Sequence, residues 1–170
     1  MRKDYRRITF TRSEVEHLYA VLKELDEEEE AIIVPAWNEN HNLSLNCYFL
    51  RGCMDNHLFR LTLQRKGLTP EDMNFTVCFF DSETNSCLGR LDLGHDLRCH
   101  RNADGTLIKG PHFHFYPDGL NETLSFKDFL KLADFQGESL EEDDFVAIII
   151  LFLCYINLDR KGTPVTEALL

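Results

Sequence analysis

Two rhythms of apolar and polar residues divide this chain. From Val15 the apolar positions recur through Leu18, Tyr19, Leu22 and Leu25, a spacing near 3.6 that predicts an amphipathic helix of about four turns. Thr11-Arg12-Ser13-Glu14 has the spacing of a capping box at its start, in which hydroxyl and carboxylate each satisfy a backbone N–H. The run Asp26-Glu27-Glu28-Glu29-Glu30 then places negative charge where helix carbonyls already point. An exposed acidic loop is expected to follow.

From Ala31 to Tyr116 the period shortens to two. Runs at 31–36, 43–50, 57–65, 74–80, 87–93 and 112–116 are bounded by turn residues and predict strands. In the segment 57–63, Phe59, Leu61 and Leu63 fall on one face while Arg60 and Thr62 fall on the other, the pattern of an antiparallel sheet with one polar face. Asp55-Asn56, residues 68–72 and residues 81–85 have hairpin chemistry, so the strands pair in sequence as a meander. Asn102-Ala103-Asp104-Gly105 marks another tight reversal.

The helical period then returns. Ser125 can cap a short helix from Phe126 to Phe135, stopped by Gly137. Ser139-Leu140-Glu141-Glu142 is a second capping-box match that would open a long helix to about Leu158. Glu141, Glu142, Asp143 and Asp144 would sit at its positive end. The fold class this defines is α+β: an antiparallel meander with an N-terminal helix, two C-terminal helices and one core. Without a repeat, a Gly/Ser linker or a low-complexity tract, residues 1–170 read as a single domain.

Composition narrows the function. Apolar residues make up 44% of 170 positions, enough core that no metal is needed merely to fold. The longest apolar run, Phe145 to Ile156, is short of the roughly twenty residues that cross a bilayer. No leader pattern opens the chain, which makes the cytoplasm the expected location. The six cysteines form no CxxC and are expected to be reduced. A net charge of −11 argues against general nucleic-acid binding, although Arg2, Lys3, Arg6, Arg7 and Arg12 are clustered.

The chemistry concentrates between residues 95 and 114. His95, Cys99, His100, His112 and His114 place four of seven histidines and one cysteine within this stretch. Imidazole and thiolate are ligands that borderline divalent metals prefer, which points to zinc. His112 and His114 leave one face of a strand about 7 Å apart, with Phe113 and Phe115 turned to the core. His95 and Cys99 form a second arm, with His100 as a substitute. Five candidates compete for four positions, and Asp92, Asp96 and Asp104 are candidate acceptors that would orient a ligand histidine.

Two other readings stand beside this one: surface histidines with a core Cys99, and metal-free acid–base chemistry. The latter would use His100, His112 or His114, with Arg90, Arg98 or Arg101 holding a phosphate. There is no GxSxG, P-loop, GxGxxG or HExxH pattern. Trp37, beside Pro35, reads as a core residue rather than a binding anchor.

Leu91-Asp92-Leu93-Gly94, His100-Arg101-Asn102-Ala103-Asp104-Gly105 and Gly110-Pro111-His112-Phe113-His114-Phe115-Tyr116 together resemble the core motif of a family of small bacterial and phage proteins of unknown function. The His-Arg and Pro-His-x-His elements are also similar, more loosely, to small toxins of the ribonuclease type. In size and acidity the chain is similar in kind to phage anti-CRISPR inhibitors, some of which carry a structural zinc. The first resemblance implies no activity, while the last, taken with the histidine cluster, leads to the expectation of a zinc-binding, non-catalytic inhibitor of a host nucleic-acid defence enzyme of the Cas9 type. The contacts would come from Glu27, Glu28, Glu29, Glu30, Glu141, Glu142, Asp143 and Asp144, their carboxylates standing in for phosphates. The alternative is a small ribonuclease-type toxin using His112 and His114 directly or through a metal.

Overall fold

The computed structural model describes residues 9–26, 28–35, 43–69, 71–94, 99–117, 120–135, 140–159 and 161–167. Its main element is a seven-stranded antiparallel sheet built from β1 (Lys23–Leu25), β3 (Leu43–Gly52), β4 (Leu58–Lys66), β5 (Asn74–Asp81), β6 (Ser86–Gly94), β9 (His112–Phe115) and β10 (Glu122–Ser125), in the order β1-β3-β4-β5-β6-β9-β10. Two small pairs complete it: β2 (Ile32–Val34) beside β11 (Val165–Glu167), in parallel, and the β7 (His100–Arg101) and β8 (Leu107–Ile108) hairpin. The meander from β3 to β6 follows the period-two runs of the sequence, with Asn56 and Asn85 taking positive φ in its turns.

Helix α1 (Arg12–Ala20) opens on the expected capping box, and α2 (Phe126–Leu132) on Ser125. With α3 (Phe145–Tyr155) they cover one face of the sheet. Phe113 of β9 meets Phe129 of α2 at 5.0 Å and Phe152 of α3 at 6.0 Å between ring centres, and Tyr19 of α1 meets Phe79 of β5 at 5.4 Å. The fold is α+β, with the helices where the sequence places them.

Several boundaries differ from the sequence expectation. The first helix stops at Ala20 instead of running to Leu25, because Lys23–Leu25 pairs with Leu50–Gly52 as a sheet edge. Lys23 takes over the helix end. Its buried ammonium donates to the carbonyls of Tyr19 (3.1 Å), Val21 (2.6 Å) and Ile156 (2.6 Å), at the electronegative ends of α1 and α3.

The last helix begins at Phe145, and Asp144 at its N-cap makes no side-chain cap bond. Ser139 lies outside the described residues, while Glu141 N donates to Asp144 Oδ2 at 3.3 Å in a turn ahead of the helix. The helix ends at Tyr155 rather than Leu158, since Asn157 turns left-handed (φ 58) and Leu158 bridges to Lys23. Likewise α2 stops at Leu132 before the left-handed Asp134 (φ 51). Short strands β1, β7, β8, β10 and β11 carried no sequence signal, being two to four residues long.

Candidate metal centre

On β6 and β9, residues alternate between the helix-covered face and the outer face of the sheet. The register pairs Asp92 with His112, and Arg90 with His114. Strand β10 continues both rows with Ser125 beside His112 and Thr123 beside His114. Asp92, His112 and His114 are therefore neighbours on the outer face while Leu91, Leu93, Phe113 and Phe115 enter the core. The β7–β8 hairpin lies against this corner. Its Asn102 side chain donates to Thr123 O at 2.9 Å, and the His100 ring sits 5.1 Å from that of His114 and 6.3 Å from that of His112.

The three side chains converge on one point. Asp92 Oδ2 lies 3.2 Å from His114 Nε2 and 3.5 Å from His112 Nε2, and one ligand atom from each residue falls within 4.8 Å of the others. All three are buried, at 3%, 5% and 6% exposure. That is a place where an unpaired charge is costly.

Hydrogen bonds on the far side of each group set the orientation. His112 Nδ1 lies 2.8 Å from Gly110 O, and a carbonyl only accepts, so Nδ1 carries the proton. His114 Nδ1 lies 3.0 Å from Asn121 Oδ1 and 3.0 Å from Thr123 Oγ1. With Nδ1 of each ring engaged in this way, both rings turn Nε2 toward Asp92 Oδ2. The other carboxylate oxygen is occupied: Oδ1 accepts from Thr76 Oγ1 (2.8 Å) and from Arg90 Nε (3.0 Å) and Nη2 (2.9 Å).

Burial pushes the Asp92 carboxyl up, but its bond with His114 and the Arg90 guanidinium outweigh this and hold it below the ordinary value. Burial lowers His112, and lowers His100 with help from His114. One carboxylate oxygen and two imidazole Nε2 atoms meet at one point. The group can hold a metal ion.

The structure brings together His112 and His114 from the sequence candidates, with the His100 ring beside them but outside the converging group. His95 and Asp96 lie outside the described residues, and Cys99 is exposed and outside the converging group. Asp104 is a turn residue, accepting from Thr106 N at 2.9 Å. Asp92, expected to orient a histidine from behind, instead supplies one of the converging atoms. Of the arginines, Arg90 holds Asp92, Arg101 is exposed and donates to Gly105 O at 3.2 Å, and Arg98 lies outside the described residues. Glu28, Glu29, Glu30, Glu141, Glu142, Asp143 and Asp144 are all exposed, whereas Glu27 and Trp37 lie outside the described residues.

A second histidine–aspartate pair gave no sequence signal because its partners are far apart in the chain. His57 Nε2 meets the buried Asp81 Oδ1 at 2.5 Å, and Asp81 Oδ2 accepts from Thr84 N at 2.7 Å. This pair ties the β3–β4 turn to the β5–β6 turn. Among the described residues, no helix is long and apolar enough to cross a membrane.

An antiparallel α+β domain with a buried Asp-His-His cluster on the outer face of its sheet defines a candidate metal-binding protein. Residues 10–158 match a family of unknown function, DUF6978, and the chain belongs to that family. No curated protein and no solved structure matches it.

Proposed function

We propose that the protein binds one zinc ion through Asp92, His112 and His114, with His100 as the fourth ligand, and that the ion fastens the β7–β8 hairpin to the sheet. The observation that carries this is the convergence of Asp92 Oδ2 with two Nε2 atoms whose opposite ring nitrogens are already engaged. Nitrogen and oxygen ligands about 2.0–2.2 Å from zinc stand about 3.3–3.5 Å apart in a tetrahedron. The contacts of 3.2 and 3.5 Å fit that spacing. His100 is the histidine of the hairpin whose ring faces both others.

Four protein ligands make a closed, structural site. The activity that follows is binding to another protein, and the exposed acidic stretches 28–30 and 141–144 are the contact surfaces. The partner chemistry they fit is a basic nucleic-acid channel, as in a Cas9-type defence enzyme. A ribonuclease acting through His112 and His114 is less well supported, since both rings are covered from a polyanionic substrate.

Elemental analysis of untagged protein, with melts before and after a strong chelator, tests the metal. The expected result is about one zinc per chain and a lower melting temperature on chelation. His114→Ala should abolish both. A metal-free preparation with an unchanged melt overturns the reading.

A further inference from the structure

Helices α1 and α3 end side by side, and a groove of about 430 Å³ opens between their last turns. Its floor is aromatic. Tyr19 and Phe115 are 5% and 7% exposed with ring centres 5.8 Å apart, and the half-buried Tyr155 stands 5.1 Å from Tyr19. The Asn157 side chain donates to Ala20 O at 2.6 Å and ties the two helix ends together. Glu16 and Cys154 are the exposed residues beside these rings.

One charge in the groove is unbalanced. Glu16 lies one helical turn after Arg12, a spacing at which the two could pair. Arg12 is turned elsewhere: its guanidinium pairs with Glu122 and lies 5.5 Å over the Phe115 ring. Glu16 is left with no ion pair and no side-chain hydrogen bond among the described residues. Lys23 binds the carbonyls of Tyr19 and Ile156 from among the rings of Phe59 and Phe79, and it does not line the groove. Burial, with a smaller contribution from the Glu16 charge, pushes the Tyr155 phenol up to about 12. At neutral pH the groove therefore presents one carboxylate and three uncharged rings, with no cation among its lining residues.

We propose that this groove binds an arginine side chain of a partner protein, with the guanidinium against Tyr155 and Glu16. A cation over an aromatic face is attracted by the ring quadrupole, and a carboxylate beside it accepts a charge-assisted hydrogen bond. Guanidinium suits the pair better than ammonium does. It is planar and weakly hydrated, so it can stack on a ring while its N–H fork meets the carboxylate. Arg12 already places a guanidinium over Phe115 within this chain. The volume falls in the lower part of the range of roughly 300–1,000 Å³ typical of small-ligand sites, which suits one side chain and not a helix or a strand. A net charge of −11 favours the approach of a basic partner. The groove needs neither the metal ion nor the acidic stretches proposed above as contact surfaces.

The test titrates the full chain with N-acetylarginine N-methylamide and follows the ring resonances of Tyr19, Phe115 and Tyr155 by NMR. Saturable shifts at these rings are expected. The citrulline analogue has the same shape without the charge and should bind about tenfold more weakly; the lysine analogue should also bind more weakly than arginine. Glu16→Gln, on the exposed side of α1, should reduce the preference for arginine over citrulline to about threefold. Ala20→Arg, one turn after Glu16, should supply the side chain from within and abolish the shifts. Far-UV circular dichroism should show both variants folded like the parent. Chelated protein should bind the arginine probe equally well, which separates failure here from failure of the metal site. Shifts that do not saturate, equal affinity for arginine and either analogue, or shifts that survive Ala20→Arg overturn the proposal.

Discussion

Strand β9 carries two kinds of interior on alternate residues. Phe113 and Phe115 enter an apolar layer of rings from α1, α2 and α3, while His112 and His114 enter a polar pocket under a two-stranded hairpin. Burial is similar on both sides, yet the energetics differ. On the helix side water exclusion itself is stabilising. Around His112 and His114 it is costly unless each polar atom finds a partner, which is why the second pocket is organised by Gly110, Asn121, Thr123, Thr76 and Arg90. The apolar layer is satisfied by its own contacts, whereas the polar pocket is the place proposed for an ion.

The largest expected effect breaks the apolar side. Phe113 is fully buried, and Phe113→Ala should cost about 3–5 kcal/mol in a chemical denaturation series. The loss should be the same in chelated and metal-supplemented protein if the two pockets are energetically separate. A loss confined to the supplemented protein would mean that the core depends on the ion.

Titration separates the two interiors by pH. Lys23, among the rings of Phe59 and Phe79, is pushed by burial down to about 7 despite the nearby Asp55. Its folded value lies below its ordinary one, so the unfolded chain binds more protons between about pH 7 and 10.5. Stability should therefore rise with pH across that window, by on the order of 1 kcal/mol per unit. His112 is also lowered by burial, so the chelated protein should lose stability as pH falls below about 6.5. Denaturation midpoints of the chelated chain, with Lys23→Met and His112→Gln as controls, check this. Each substitution should flatten one limb and leave the other.

The meander, its turns and the histidine pair were legible because each is local: a period of two, Asn-containing turns, His112-x-His114. The ends of α1 and α3 were not. Leu22 and Leu25 continue a helical spacing, and only pairing with β3, together with carbonyls contributed by another helix, ends α1 at Ala20. Asp92 could be read from alternation as an outward residue between Leu91 and Leu93. Its place opposite His112 depends on β9 pairing with β6 across an intervening hairpin, a register no short window contains. Cys99 looked equivalent to His100 by spacing, but neighbours along a chain point in different directions, and Cys99 is exposed.

The smallest expected effect concerns the residues behind the ligands. Arg90 grips Asp92 Oδ1 through two nitrogens while its own side chain is 44% exposed, so its loss should cost the metal-free fold less than the loss of a buried core ring. With Arg90→Gln the carboxylate is free to rotate, and Oδ2 is no longer held toward the two imidazoles. Zinc affinity, measured by competition with a chromophoric chelator, should weaken about 10–100-fold, equivalent to about 1–3 kcal/mol. Thr76→Val removes one bond to the same oxygen and should weaken it less. If Arg90→Gln leaves affinity unchanged while Asp92→Asn abolishes it, Asp92 is a ligand whose aim comes from the sheet itself. If neither matters, the ion is held by the histidines alone and the polar pocket is organised around something other than this carboxylate.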